Sequence, residues 1–149
     1  MTSLYPIFEL PKDITKNIEN NIQPKYRPSC SFDFAQGDFV LDGAGAMVTC
    51  DGVEAWKQWC IKTIATTRFS CLSYSDEIGI EREAIGQISA YEGICLALER
   101  EITEALLADP AGRTYAVQDF SFARQQDGIL VTCSVLGHEQ QQVELSVQV

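Results

Sequence analysis

Between Gln142 and Val149 the chain alternates with period two: Val143, Leu145, Val147 and Val149 fall on one side, Glu144, Ser146 and Gln148 on the other. Successive side chains of a β-strand point to opposite faces, so this segment can bury its apolar side only as part of a sheet that covers something apolar. Two more strand-like runs precede it, Tyr115 to Arg124 and Ile129 to Leu136, broken by Gln126-Asp127-Gly128 and by Gly137. Turns this short join antiparallel neighbours, which predicts a three-stranded C-terminal meander.

Two helical stripes supply the cover. Asp51-Gly52-Val53-Glu54 has the form of a capping box, in which the first carboxylate accepts from early helix N–H groups and the glutamate reaches back. Beyond it Val53, Trp56, Cys60, Thr63 and Ile64 recur at helical spacing with Trp59 beside them, while Lys57, Gln58 and Lys62 take the other side. A second, longer helix is predicted over roughly Gln87 to Leu107. Its stripe is Ile88, Tyr91, Cys95, Leu98, Ile102 and Leu106, with Glu92, Glu99, Arg100, Glu101 and Glu104 on the outer side. Asp109-Pro110 stops it, because proline lacks the N–H and restrains the residue before it. The stretch from Thr67 to Gly86 reads as a connector, apolar around Phe69 to Tyr74 and turning at Ser75-Asp76-Glu77 and Gly79.

Upstream, Ser31-Phe32-Asp33-Phe34, a turn at Gly37-Asp38 and Phe39 to Leu41 form a β-hairpin pattern. Gly43-Ala44-Gly45 is a second turn, followed by a short strand from Ala46 to Thr49. The expected fold is therefore α+β: two main helices packed on an antiparallel sheet, with an N-terminal hairpin. A length of 149 residues suits one domain, placed at 30–149. Residues 1–29 carry Pro6, Pro11, Pro24 and Pro28 around a polar run, and read as an N-terminal arm. Within it Ile14, Ile18 and Ile22 mark either a short amphipathic helix ordered by a partner or a frayed terminus.

Composition excludes several functions. Eleven basic against twenty-one acidic residues give a formal charge of −10, the wrong sign for neutralising nucleic-acid phosphates or adhering to anionic lipid, so neither nucleic acid nor membrane is expected as a partner. There is no basic-then-apolar leader and no apolar run of roughly 20 residues, which points to a cytosolic product. The six cysteines are scattered without a Cys-x-x-Cys pair, and His138 has no cysteine near it. They read as reduced thiols rather than disulfides or a zinc site, with Cys60, Cys95 and Cys133 on apolar faces. Gly43-Ala44-Gly45 lacks the third glycine, lysine and helix start of a phosphate cradle. The two tryptophans sit at helical spacing on an apolar face, as core residues do. Glycoside hydrolysis would need two carboxyl groups across a cleft, one with a raised pKa. Glu99 and Glu104 lie on a predicted solvated face, and no nucleophile-base-orienter set is present. No catalytic residue, cofactor or metal is assigned.

A collinear set of short motifs carries a resemblance. Asp33-Phe34, Gly37, Asp51-Gly52, Glu54-Ala55, Lys57-Gln58, Thr67-Arg68, Tyr74-Ser75, Gly79-Ile80-Glu81 and Gly86 occur in this order. They are followed by Arg100-Glu101-Ile102-Thr103-Glu104-Ala105-Leu106-Leu107-Ala108-Asp109 and Val117-Gln118-Asp119-Phe120-Ser121-Phe122. From about Arg27 onward the chain resembles the XkdS proteins of PBSX-type phages, kin of the T-even wedge protein made from gene twenty-five.

That resemblance implies a fold similar to the handshake domain of the tail sheath protein, and a structural, non-enzymatic role as a baseplate-wedge component and sheath initiator of a contractile tail, whether phage or tail-like bacteriocin. Several copies would sit in a sixfold baseplate of the virion or tail particle, assembled in the host bacterial cytoplasm. The implied partners are the tail sheath protein, wedge scaffold proteins of the baseplate J-like kind, and central hub or tube proteins. Sheath strands would add to the sheet by β-augmentation, with the last strand as the edge and Val143, Leu145 and Val147 as its candidate residues. On that expectation, lysine at Leu145 and Val147 would weaken sheath attachment and leave the helices folded. The wider family carries a Glu-Pro-Arg triplet used in docking to the wedge core; here the place reads Asp109-Pro110-Ala111-Gly112-Arg113. Asp109 and Pro110 are carried over as candidates, and Arg113 as a substitute for a bidentate carboxylate contact. The same residues also read as a plain helix stop and turn. The alternative function is a lysozyme-like cell-wall hydrolase of the tail.

Overall fold

Helix α1 (Gly52–Ala65) begins where the Asp51 carboxylate accepts a hydrogen bond from the Glu54 N–H at 2.9 Å, the first half of the expected box. It buries Trp56, Cys60, Thr63 and Ile64 of the expected stripe together with Ala55, while Val53 is only half-buried, and Thr66 closes it by donating both its N–H and its hydroxyl to the Lys62 carbonyl. The computed structural model describes residues 26–149. The stripe of Ile14, Ile18 and Ile22 lies outside the described residues.

Ahead of α1 the chain forms two small antiparallel pairs. Strands β2 (Phe32–Asp33) and β3 (Asp38–Phe39) make the hairpin, turning at Gly37 with φ +73°. Strand β1 (Ser29–Cys30) pairs with β4 (Thr49–Cys50), so the expected strand from Ala46 reduces to β4 and one bridge between Leu41 and Met47.

After α1 the pattern is cut differently from the expectation. A short helix α2 (Arg82–Gly86) comes first, and α3 (Tyr91–Leu107) starts only after Ala90, whose backbone is extended at φ −88° and ψ 128°. Gly86 and Ser89 are poor helix formers, and the break lets Ile85 and Leu98 both enter one core. Ile88, expected in the stripe, lies outside the helix and packs over Gly93, where an added Cβ would stand 2.9 Å from its Cγ2. The buried face of α3 is Leu98, Glu101, Ile102, Ala105 and Leu106. Glu101 was expected outside. At 5% exposure it is inside, because Arg68 comes within 3.6 Å of its carboxylate and the Glu81 N–H donates to it at 3.3 Å. A buried carboxylate requires such partners.

Strands β5 (Thr114–Gln125), β6 (Gly128–Gly137) and β7 (Gln142–Gln148) form the expected meander in the order β5-β6-β7. Its inner face carries Val131, Cys133 and Val135 of β6 and Val143, Leu145 and Val147 of β7. Helix α1 packs against β7 and α3 against β5. The architecture is α+β, with the core between the helix pair and one face of the sheet. Tyr26, within the expected arm, packs edge-on against Trp56 at 5.4 Å and donates its hydroxyl to the His138 carbonyl at 2.8 Å. Gly137 has to be glycine, since an added Cβ would strike both rings.

The burial of β7 corrects one expectation. Leu145 is 1% exposed and Val147 7%, so lysine at either place would bring an unpaired charge into the core and unfold the sheet from the helices. Leu145→Ala should lower stability by about 2–5 kcal/mol, whereas Glu144→Ala should stay within about 0.5 kcal/mol, as measured by chemical denaturation.

Candidate docking site: the free sheet edge and the Asp109–Arg113 clasp

The register of the meander fixes what its last strand can offer. Val149 and Ile129 exchange both main-chain hydrogen bonds at 3.0 Å. Bonded and non-bonded pairs alternate along an antiparallel ladder, so Val147, Leu145 and Val143 likewise turn their N–H and C=O groups to Val131, Cys133 and Val135. The groups of Gln142, Glu144, Ser146 and Gln148 therefore point away from β6, along an edge where no further strand is paired among the described residues. These four residues also carry the exposed side chains. The sequence-derived candidates Val143, Leu145 and Val147 are thus the packed underside of the edge, and its outward bonding groups belong to the alternate set. Counting parity from the β6–β7 turn would have identified that set.

That turn is held in an uncommon shape. Glu139 and Gln140 have φ +59° and +61°, a left-handed pair usually left to Asn and Gly. The Gln141 N–H donates to the His138 carbonyl at 3.2 Å, and the Tyr26 hydroxyl donates to the same oxygen. Burial raises the Tyr26 pKa above its ordinary value, with the nearby Glu139 charge adding to the effect, so the hydroxyl stays a donor across the neutral range.

At the other connection, Asp109 and Arg113 come together and Pro110 is left outside. The Arg113 guanidinium donates to the Asp109 carboxylate through Nε at 2.7 Å and Nη2 at 3.0 Å. The same carboxylate accepts the N–H groups of Ala111 at 3.1 Å and Arg113 at 3.0 Å. Gly112, at φ +61°, lets the chain double back within this short span. Arg113 makes its bidentate contact with a carboxylate of the same chain. The Asp109 side chain is 1% exposed, so it is sealed from direct contact with another protein, while Pro110 and Ala111 are exposed at the tip.

Residues the sequence treated as plain core complete the clasp. Arg113 covers the Trp59 ring at 5.2 Å, and the Trp56 Nε1–H donates to the Thr114 hydroxyl at 3.2 Å. The Arg113 carbonyl accepts the His138 N–H at 3.1 Å. Arg113 thereby ties the end of α3, the start of β5, the aromatic face of α1 and the β6–β7 turn into one corner. Beneath it, burial pushes the Cys60 thiol up to about 12.

The features weighed for other chemistry are accounted for locally. The turn at Gly43 to Gly45 is filled by the Asp42 carboxylate, which accepts from Ala44 and Ala46 at 2.8 and 2.9 Å, and these bonds hold its pKa below the ordinary value. Glu99 and Glu104 are exposed on the outer side of α3, beside Leu96 and Leu107. Among the described residues no helix is long and apolar enough to cross a membrane.

Arg113→Ala leaves a buried carboxylate without its cation, and should cost about 3–5 kcal/mol in denaturant unfolding. Cys60 supplies an independent reading of the same corner. Burial holds the folded-state thiol at about 12 against its ordinary 9.0, so its contribution to stability is intact below pH 9 and is lost as pH rises from there toward 12. At pH 8 a thiol reagent should modify exposed Cys71 quickly and Cys60 only on unfolding, with Arg113→Ala speeding the second reaction.

A family model described as the contractile injection system sheath initiator matches residues 29–140, from β1 to the β6–β7 turn and including the whole clasp. No match is found among curated proteins. With the match extending over most of its length, the chain belongs to the contractile injection system sheath initiator family.

Proposed function

We propose that this chain connects the baseplate wedge of a contractile tail to the first sheath ring, and starts sheath assembly by accepting a strand of the tail sheath protein along β7. The observation that carries this reading is the row of outward main-chain groups at Gln142, Glu144, Ser146 and Gln148 in a chain of the sheath-initiator family. A regular edge of this kind supplies affinity through main-chain hydrogen bonds, and its buried alternate residues keep the register from slipping. Glu144 would favour a basic or hydroxyl side chain directly across the new pair.

The clasp supports the second half of the reading. Asp109 and Arg113 spend their charges on each other, so wedge scaffold proteins of the baseplate J-like kind, or the central hub and tube, would meet the turn they shape through exposed Pro110 and Ala111. Repetition in a sixfold baseplate would then present the edges as a ring. The cell-wall hydrolase alternative has no observation in its favour, as its best carboxylates stand exposed on one helix face.

Ser146→Pro tests the edge. The lost N–H is one that points outward, and proline is tolerated on an edge strand at such a position. The variant should fold with a melting temperature within a few degrees of wild type, while sheath assembly on purified baseplates should fall about tenfold or more. Normal sheath growth from Ser146→Pro baseplates would move the acceptor strand elsewhere.

A further inference from the structure

The segment between α1 and α2 combines a clamped base with an apolar tip. At the base, Thr67 and Ile80 form a parallel bridge, the Arg68 N–H donates to the Ile80 carbonyl at 2.9 Å, and the Ile80 N–H donates to the Thr66 carbonyl at 3.1 Å. The Arg68 side chain, 13% exposed, donates to the Gly79 carbonyl at 3.1 Å and sits 3.5 Å from Glu81 and 3.6 Å from Glu101. Gly79 closes the neck at φ +97°, where an added Cβ would stand 2.7 Å from the Thr66 oxygen. Successive turns then shape the tip, with the N–H groups of Ser70, Tyr74 and Ile78 donating to the carbonyls of Thr67, Cys71 and Ser75.

The tip holds its largest apolar groups in water. Leu72 is 105% exposed and Phe69 66%. Phe69 also lies at φ +64°, a conformation costly for a bulky residue and one that persists only where the surroundings enforce it. Folding buries none of Leu72 and only the lesser part of Phe69. Of the charges on residues 66–79, Arg68 is turned inward to Glu81 and Glu101, so what faces outward is the acidic pair Asp76 and Glu77.

We propose that this loop is a second docking element, a knob whose Leu72 and Phe69 insert into an apolar pocket with a lysine- or arginine-rich rim on a neighbouring protein subunit of the tail. The inference rests on the assembly role above and adds a contact to it. Its base joins the C-terminal end of α1, where Arg82 donates to the Ala65 carbonyl at 3.0 Å, whereas the clasp packs on Trp56 and Trp59 nearer the other end. The two contacts grip the molecule from different sides. A knob with a locked conformation binds without a large ordering cost, and the acidic flank makes an anionic membrane the wrong receptor.

The test is made on tail particles purified from cells that carry each variant, with copies of this chain per particle counted by quantitative mass spectrometry. Leu72→Asp should reduce the copies about tenfold or more, while the melting temperature of the isolated variant stays within about 2 °C of wild type, as for a surface change. The Asp76→Lys, Glu77→Lys pair should reduce them too. Phe69→Gly should raise the melting temperature by about 2–4 °C, by relieving the left-handed strain, and still lower the copy number. Full occupancy by Leu72→Asp would overturn the knob and leave the assembly role standing. Absence of the wild-type chain from particles would overturn both. Higher occupancy of the charge-reversed pair would make the rim acidic and the stated partner chemistry wrong. Partition of wild type, but not Leu72→Asp, onto phosphatidylglycerol vesicles would reassign the knob to a membrane and overturn it as well.

Discussion

A charged carboxylate sealed from water has to be satisfied on the spot, and much of this molecule's shape follows from how Asp109 is satisfied. Its oxygens take the Arg113 guanidinium and two main-chain N–H groups, which fixes the angle at which the chain leaves α3 and enters β5. Arg113 then lies on Trp59 and offers its carbonyl to the His138 N–H, so the same residue positions α1 and the β6–β7 turn. A buried ion pair is a poor source of net stability compared with apolar packing. Its effect here is geometric: an apolar pair of equal volume could fill the corner, but it could not direct the main-chain N–H groups that close the turn.

The consequence reaches the sheet edge. The β6–β7 turn sets the parity of β7, and parity decides that the valine and leucine side chains face the helices while the alternate residues keep their main-chain groups outward. A slip of one residue would exchange these roles entirely. The other edge differs. β5 carries register breaks near Thr114 and between Gln118 and Ser121, with Asp119 at φ +56°, and bulges of this kind twist an edge away from pairing. The meander therefore presents one regular edge and one interrupted one.

Much of this was legible in the residues. The period of Val143 to Val149, the Asp51 cap and the helical spacing from Val53 to Ile64 each express a local rule, and tertiary packing left each intact. What failed was wherever a long-range partner intervened. Glu101 reads as a surface glutamate until Arg68, far away in sequence, folds over it. Ile88 and Tyr91 continue a helical stripe on paper, but the pattern cannot reveal that Ala90 is extended and that α2 is separate. At the candidate site Asp109 and Arg113 pair with each other, whereas the resemblance implies a partner for the arginine in another protein. The four-residue separation was the available clue, because it puts the two side chains within reach of each other across one tight turn. The edge makes a related point: alternation shows which side chains of β7 are buried, but only the ladder shows which main-chain groups point away from β6.

Two half-buried arginines stand at opposite ends of one construction problem. Arg113 pins the corner where α3 meets β5, and Arg68 pins the neck between α1 and α2 against Glu101 in the middle of α3. Each removes freedom from a connection that would otherwise move relative to the core, since connections are the mobile parts of most folds. If β7 accepts a sheath strand as proposed, such restraint would matter, because any sway of the helices beneath β7 would shift the edge by fractions of the repeat that an incoming strand must match. Restraint at the two connections holds the helix pair and the sheet together as one packed unit beneath β7.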